Sequence, residues 1–191
     1  AIRDSLLAFQ ARNIVIDPVM VSKSGFALLR AEAVTAVKEL VGIADVTTPN
    51  IPEAELLAGH QITNQAEIED AARRIAELGS KNVLIKGGHR FGDDAEDLLY
   101  SEGEFLRFPA SRIATKNTHG TGCTLSSAIA SRLGLGDTVP QAVAASKAYI
   151  TQAILDGYDL GKGAGPVGHL AALYRKAGLD HCYSGSSFEE S

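Results

Sequence analysis

Apolar residues recur along this chain in two rhythms. Val34, Val37 and Val41 share one helical face, and so do Ile68, Ala71, Ala72, Ile75 and Leu78. Leu125, Ile129 and Leu133 follow at i, i+4 and i+8, and Val139, Val143, Ile150 and Ile154 mark a further core helix. Between these stretches lie short runs rich in β-branched residues, 13–20, 44–48 and 82–86, which read as buried parallel strands. Residues 97–100 and 104–108 alternate around Ser101-Glu102-Gly103, which predicts a hairpin at an antiparallel edge. Strands separated by amphipathic helices predict an α/β sandwich with a mostly parallel sheet.

Local signals set the expected boundaries. Asn50 can cap a helix that Pro52 helps to start, with Leu56 and Leu57 facing inward. Asn64 and Glu67 are spaced as a capping box, Gly79 is a stop, and Asp137 or Thr138 begins the helix of Val139. Ile2, Leu6, Leu7 and Phe9 read as the middle or end of an amphipathic helix, as though the chain begins inside a domain. Residues 21–30 are expected to be a mobile loop, 170–176 a last helical turn or two, and 184–191 a disordered tail.

Composition narrows the class of ligand. With 191 residues, 45% of them hydrophobic, the chain can form one domain with a substantial core. A net charge of −5 and no basic block argue against nucleic acid or a membrane surface, which leaves a small molecule. Only Cys123 and Cys182 are present, so a disulfide framework is not expected and a reducing cytoplasm fits. No signal peptide or run of about 20 apolar residues appears.

The chemistry concentrates in Thr115-Lys116-Asn117-Thr118-His119-Gly120-Thr121-Gly122-Cys123-Thr124. A loop of small residues enters a helix, so its free N–H groups and the helix dipole favour an anion, and the glycines let it approach the main chain. A tight turn that simply needs small residues is the plainer account of Gly-x-Gly alone. Cys123 adds a thiol in the first turn, where the dipole favours a thiolate, though a lone cysteine also serves as a buried hydrophobe. Asp17 and Lys86 each end a predicted strand, where open α/β sheets bind ligands. Asp17 also suits a turn before Pro18, and Glu53 suits the first turn of a capped helix. Gly87-Gly88 could admit phosphate or turn the chain. Neither a P-loop nor a dinucleotide fingerprint is present.

Asp17-Pro18-Val19-Met20, Thr48-Pro49-Asn50-Ile51-Pro52-Glu53, Lys86-Gly87-Gly88-His89 and the segment from Thr115 to Ser126 stand in the order and spacing of a known family. Over about residues 2–173 the chain resembles the hydroxymethylpyrimidine/phosphomethylpyrimidine kinases of thiamin biosynthesis, in the ribokinase superfamily. The resemblance implies a three-layer α/β/α sandwich over residues 1–183. It also implies ATP-dependent phosphorylation of 4-amino-5-hydroxymethyl-2-methylpyrimidine and of its monophosphate. By the same resemblance, Gly120, Thr121, Gly122 and Cys123 form the anion hole, with Cys123 as base and substrate contact. Lys86, Gly87, Gly88, Lys116 and Thr118 lie near ATP phosphates, Val19 lines the pyrimidine pocket, and Asp17 and Glu53 organise Mg²⁺ through water. A homodimer is implied as well. The family's opening Gly-Ser-Asp strand and helix have no counterpart in these residues, and a sheet without those strands leaves apolar faces and an edge uncovered. Pyridoxal kinase activity is the nearest alternative, and a truncated, non-catalytic nucleotide-binding module is another.

Overall fold

Val83, Leu84 and Ile85 are wholly buried, and their side chains alternate between the two faces of the sheet they centre. Val83 and Ile85 join one apolar cluster and Leu84 the other. The computed structural model describes residues 1–20, 31–87, 96–111, 113–160 and 162–179. The loop expected over 21–30 and the tail expected over 184–191 fall outside these.

The elements follow one another as α1 (Ile2–Ala8), β1 (Val15–Ile16), α2 (Ala31–Val41), β2 (Val46–Thr47), α3 (Ile51–Ala58) and α4 (Gln65–Glu77). Then come β3 (Asn82–Lys86), β4 (Asp97–Ser101), β5 (Glu104–Phe108), α5 (Thr121–Gly134), α6 (Val139–Leu155) and α7 (Ala171–Lys176). The five strands lie in the order β1-β2-β3-β4-β5. β1, β2 and β3 are parallel, and β4 and β5 continue the sheet as the expected antiparallel hairpin, with β5 at the edge. Helices α2, α3 and α4 cover one face through Val41, Leu57, Ile68 and Ile75. Helices α5 and α6 cover the other through Leu125, Ile129, Val143 and Ile150, giving three layers.

Some boundaries differ from expectation. β1 pairs for two residues only, because the chain turns at Asp17-Pro18, where the Val19 N–H donates to the Asp17 carbonyl. Leu57 is buried but Leu56 is exposed, since neighbouring helical positions lie about 100° apart and the inner face of α3 is already set by Ile51, Ala54 and Leu57. At α4 the Glu67 N–H donates to Asn64 Oδ1, and the Glu67 carboxylate accepts chiefly from Thr63. Among the described residues no helix is long and apolar enough to cross a membrane.

Candidate active site

Because β1, β2 and β3 run parallel, the residues that follow them gather at one end of the sheet. Asp17 follows β1, Asn50 and Glu53 follow β2, and Lys86 closes β3. Lys86 Nζ donates to Asp17 Oδ1 at 2.8 Å, and the buried Thr48 hydroxyl donates to the same oxygen at 3.3 Å. The two charged side chains are only 16% and 13% exposed, so solvent screens their attraction weakly.

Glu53 caps α3 and does more. Its N–H donates to Asn50 Oδ1, and its carboxylate accepts from the Asn50 N–H at 2.9 Å and from the Met20 backbone. Such a cap normally sits at the surface, yet Glu53 is 2% exposed. Burial pushes its carboxyl above the usual range, and the charge of Asp17 adds to this while Lys86 and the backbone donors oppose it.

Above this cluster begins α5. Its N-cap is Gly120 at φ +80°, a left-handed conformation suited to glycine, and no side chain caps the helix. No acidic residue stands in the first turn, so the N–H donors of Thr121, Gly122 and Cys123 remain available to an anion. A Cβ placed on Gly122 would lie 3.4 Å from Lys86 Nζ and 3.6 Å from Asp17 Oδ2, so the helix start faces the ion pair directly. The loop is braced from behind. The Thr118 carbonyl accepts from the Thr121 hydroxyl, the His119 N–H donates to the Gly165 carbonyl, and buried Asn117 packs where side chains on Gly157 or Gly165 would collide with it. Cys123 is an exposed, free thiol. Together with Gly120, Ser127, Tyr149 and His169 it lines an open groove of about 730 Å³ between α5 and α6.

The remaining expected residues are placed variously. Val19 is 48% exposed beside buried Met20, free to line a pocket. Lys116 pairs with Asp159 at 2.7 Å on the surface. A Cβ on Gly87 would collide with the carbonyl oxygen of Glu96, which immediately precedes β4, so glycine is needed there for close approach of the two segments. Gly88 and His89 lie outside the described residues.

Among the described residues no group of three or more His, Cys, Asp or Glu is arranged to hold a metal. Asp17 and Glu53 are two carboxylates already engaged by protein donors. That donor set fits Mg²⁺, which keeps several waters and takes one or two carboxylates together with phosphate oxygens.

Two residues were missed by sequence reasoning. Asp97, at the start of β4, pairs with Lys147 of α6 at 2.7 Å with both side chains nearly buried, and its other oxygen accepts from the Gly87 N–H at 3.1 Å. The signal was there: Lys147 interrupts the apolar face that carries Val143 and Ile150.

A family model described as phosphomethylpyrimidine kinase matches residues 1–168. The hydroxymethylpyrimidine/phosphomethylpyrimidine kinase of Rhizobium meliloti is 48% identical over 88% of this chain and 65% of its own. The thiamine biosynthesis bifunctional protein ThiED of Geobacter sulfurreducens is also 48% identical, over 90% of this chain and 35% of its own. The chain thus spans at most about two thirds of these relatives. In structure, Bacillus subtilis pyridoxal kinase in its ADP complex superposes with a TM-score of 0.81 at 33% identity, covering 90% of this chain and 64% of that one. The phosphomethylpyrimidine kinase of Clostridium difficile 630 gives 0.70 at 42% identity, covering 80% and 62%. The match over residues 1–168 takes in the Asp17, Glu53, Lys86 and Gly120–Cys123 positions that the fold draws together, and on it the chain belongs to the phosphomethylpyrimidine kinase family.

Proposed function

We propose that this chain serves an ATP-dependent phosphotransferase that converts 4-amino-5-hydroxymethyl-2-methylpyrimidine to its monophosphate and then to its diphosphate, in thiamin biosynthesis. The observation that carries the reading is the uncapped start of α5 facing the buried Lys86–Asp17 pair. Fixed N–H donors and a lysine converge there on the space a transferring phosphoryl group needs, and charge stabilisation is the main lever in that reaction.

In this reading Thr121, Gly122 and Cys123 hold the phosphoryl oxygens through their N–H groups, and Lys86 approaches the ATP phosphates. Cys123 takes the proton from the hydroxymethyl group as its oxygen attacks the terminal phosphorus of ATP, whose bond to the bridging oxygen breaks to release ADP. Val19 lines the pyrimidine site. Asp17 and Glu53 would hold Mg²⁺, largely through water, and the ion would offset phosphate charge. Lys116 and Thr118, on the loop before α5, lie toward the nucleotide, with Lys116 leaving Asp159 to reach it. Self-association as a cytoplasmic homodimer belongs to the same proposal, and the mass from light scattering checks the dimer.

The test is ADP release with Mg²⁺-ATP and each acceptor: hydroxymethylpyrimidine, its monophosphate and pyridoxal. Release with the pyrimidines supports the reading, and release with pyridoxal alone overturns it in favour of the second reading. That second reading has one specific support, the higher TM-scores of the pyridoxal kinases. The 41–48% identities to pyrimidine kinases weigh the other way. Silence with every acceptor, while ATP still binds, supports a non-catalytic nucleotide-binding module.

A further inference from the structure

We propose that Asp97 is a positioning residue of the phosphoryl-transfer site, fixing the main chain that carries Lys86 through the Gly87 N–H, with Lys147 as its buried counter-ion. The proposal rests on the kinase reading above.

Asp97 stands directly opposite Lys86 in the antiparallel register of β3 and β4. One carboxylate oxygen accepts from the Gly87 N–H at 3.1 Å and the other from Lys147 Nζ at 2.7 Å, so its two oxygens join a strand to a helix fifty positions further along the chain. The pair is 12% and 11% exposed. A buried ion pair is a poor way to stabilise a core, since desolvation offsets much of its attraction and an apolar pair of similar volume often does as well. What an apolar pair lacks is an acceptor for the Gly87 N–H.

That N–H matters because of where it sits. The Lys86 N–H is already held by the Pro49 carbonyl at 2.8 Å, and the Gly87 backbone runs so close to Glu96 that an added Cβ would collide with the Glu96 carbonyl oxygen. Asp97 supplies a further restraint on the peptide after Lys86, by accepting from the Gly87 N–H. The lysine ammonium, in turn, ends against Asp17 and the start of α5. Errors of about 1 Å in such placements cost on the order of 10²-fold in rate.

Two double variants isolate the contact. Asp97→Asn with Lys147→Met removes both charges but keeps an acceptor oxygen, whereas Asp97→Leu with Lys147→Met removes the acceptor at similar volume. The leucine variant is expected to show a kcat at least about tenfold below the asparagine variant, with KM for the pyrimidine within about twofold, and faster hydrogen exchange of the Gly87 amide. Should the leucine variant fail to fold, Asp97→Ala with Lys147→Met replaces it. Equal kcat in the two variants, or equal Gly87 exchange, overturns the proposal, because a merely structural pair moves melting temperature without separating them. A parent protein that releases no ADP with any acceptor overturns the kinase reading instead. The exchange measurement needs no turnover and still decides whether Asp97 holds that backbone.

Discussion

Asn64 caps α4 from an exposed position, whereas Glu53 completes the cap of α3 from inside the protein, within reach of the charges of Asp17 and Lys86. Its titration follows from that burial. Because the folded-state pKa is raised above 4.5, the stability this group contributes is complete below 4.5 and is lost as pH rises through the folded value. As pH falls through that window, the parent should therefore gain stability relative to Glu53→Gln, read as urea midpoints over a pH series. Parallel pH profiles for the two proteins would contradict the assignment. Cys123 carries a separate expectation. Cys123→Ala should lower turnover of the hydroxymethyl substrate on the order of 10²-fold with ATP affinity nearly unchanged, and undiminished turnover would place the base elsewhere. Asp17, Glu53, Lys86 and Gly122 were legible in the sequence because each stands where one pattern gives way to another. Lys147 left only a trace, as a charge on the apolar face of Val143 and Ile150, and Asp97 left none, since its meaning lies in a pairing between β4 and α6 that no local spacing encodes.

At the scale of elements, α3 and α4 use the same cap chemistry for different ends. Removing either asparagine side chain should cost about 1 kcal/mol, as lost N-caps generally do. Asn50→Ala should also lower kcat, because its partner in the cap is Glu53, while Asn64→Ala should lower the melting temperature and leave kcat intact. Equal kcat in both variants would detach the α3 cap from the site. Helix periodicity located α2, α4, α5 and α6 well, because each buries a continuous apolar stripe. Strand extents were harder to read. β2 pairs over two residues although buried residues extend beyond it, since burial reflects the covering helices and pairing reflects the neighbouring strands.

Across the whole molecule, the sheet separates two apolar half-cores, and the site lies where they meet beyond the ends of the parallel strands. Glu53 comes from the layer of α2, α3 and α4, the uncapped helix start at Gly120–Cys123 from the layer of α5 and α6, and Asp17 and Lys86 from the sheet between. A ligand bridging these layers should stabilise them together. Mg²⁺-ATP at a hundred times its Kd contributes about 2.7 kcal/mol, which for a chain of this length raises Tm by roughly 5–10 °C. An unchanged melting curve would mean that the three layers do not form a nucleotide site. The α/β sandwich was legible in the alternation of strand and helix, and its three layers in the family resemblance. The bracing of Asn117 by Gly157 and Gly165 was not, because a glycine-rich loop announces a close approach without naming what approaches.

Gly122 carries one last consequence. An alanine methyl there would fit at ordinary contact distance from Lys86 and Asp17, and alanine stabilises helices by about 0.5–1 kcal/mol over glycine. Gly122→Ala should then fold as well as the parent or better, yet deny phosphate its approach to the helix start. Sturdiness and turnover would part company at this one position: a gain in melting temperature accompanied by a collapse in rate would show that the protein has stayed less stable than its fold allows so that its substrate can enter.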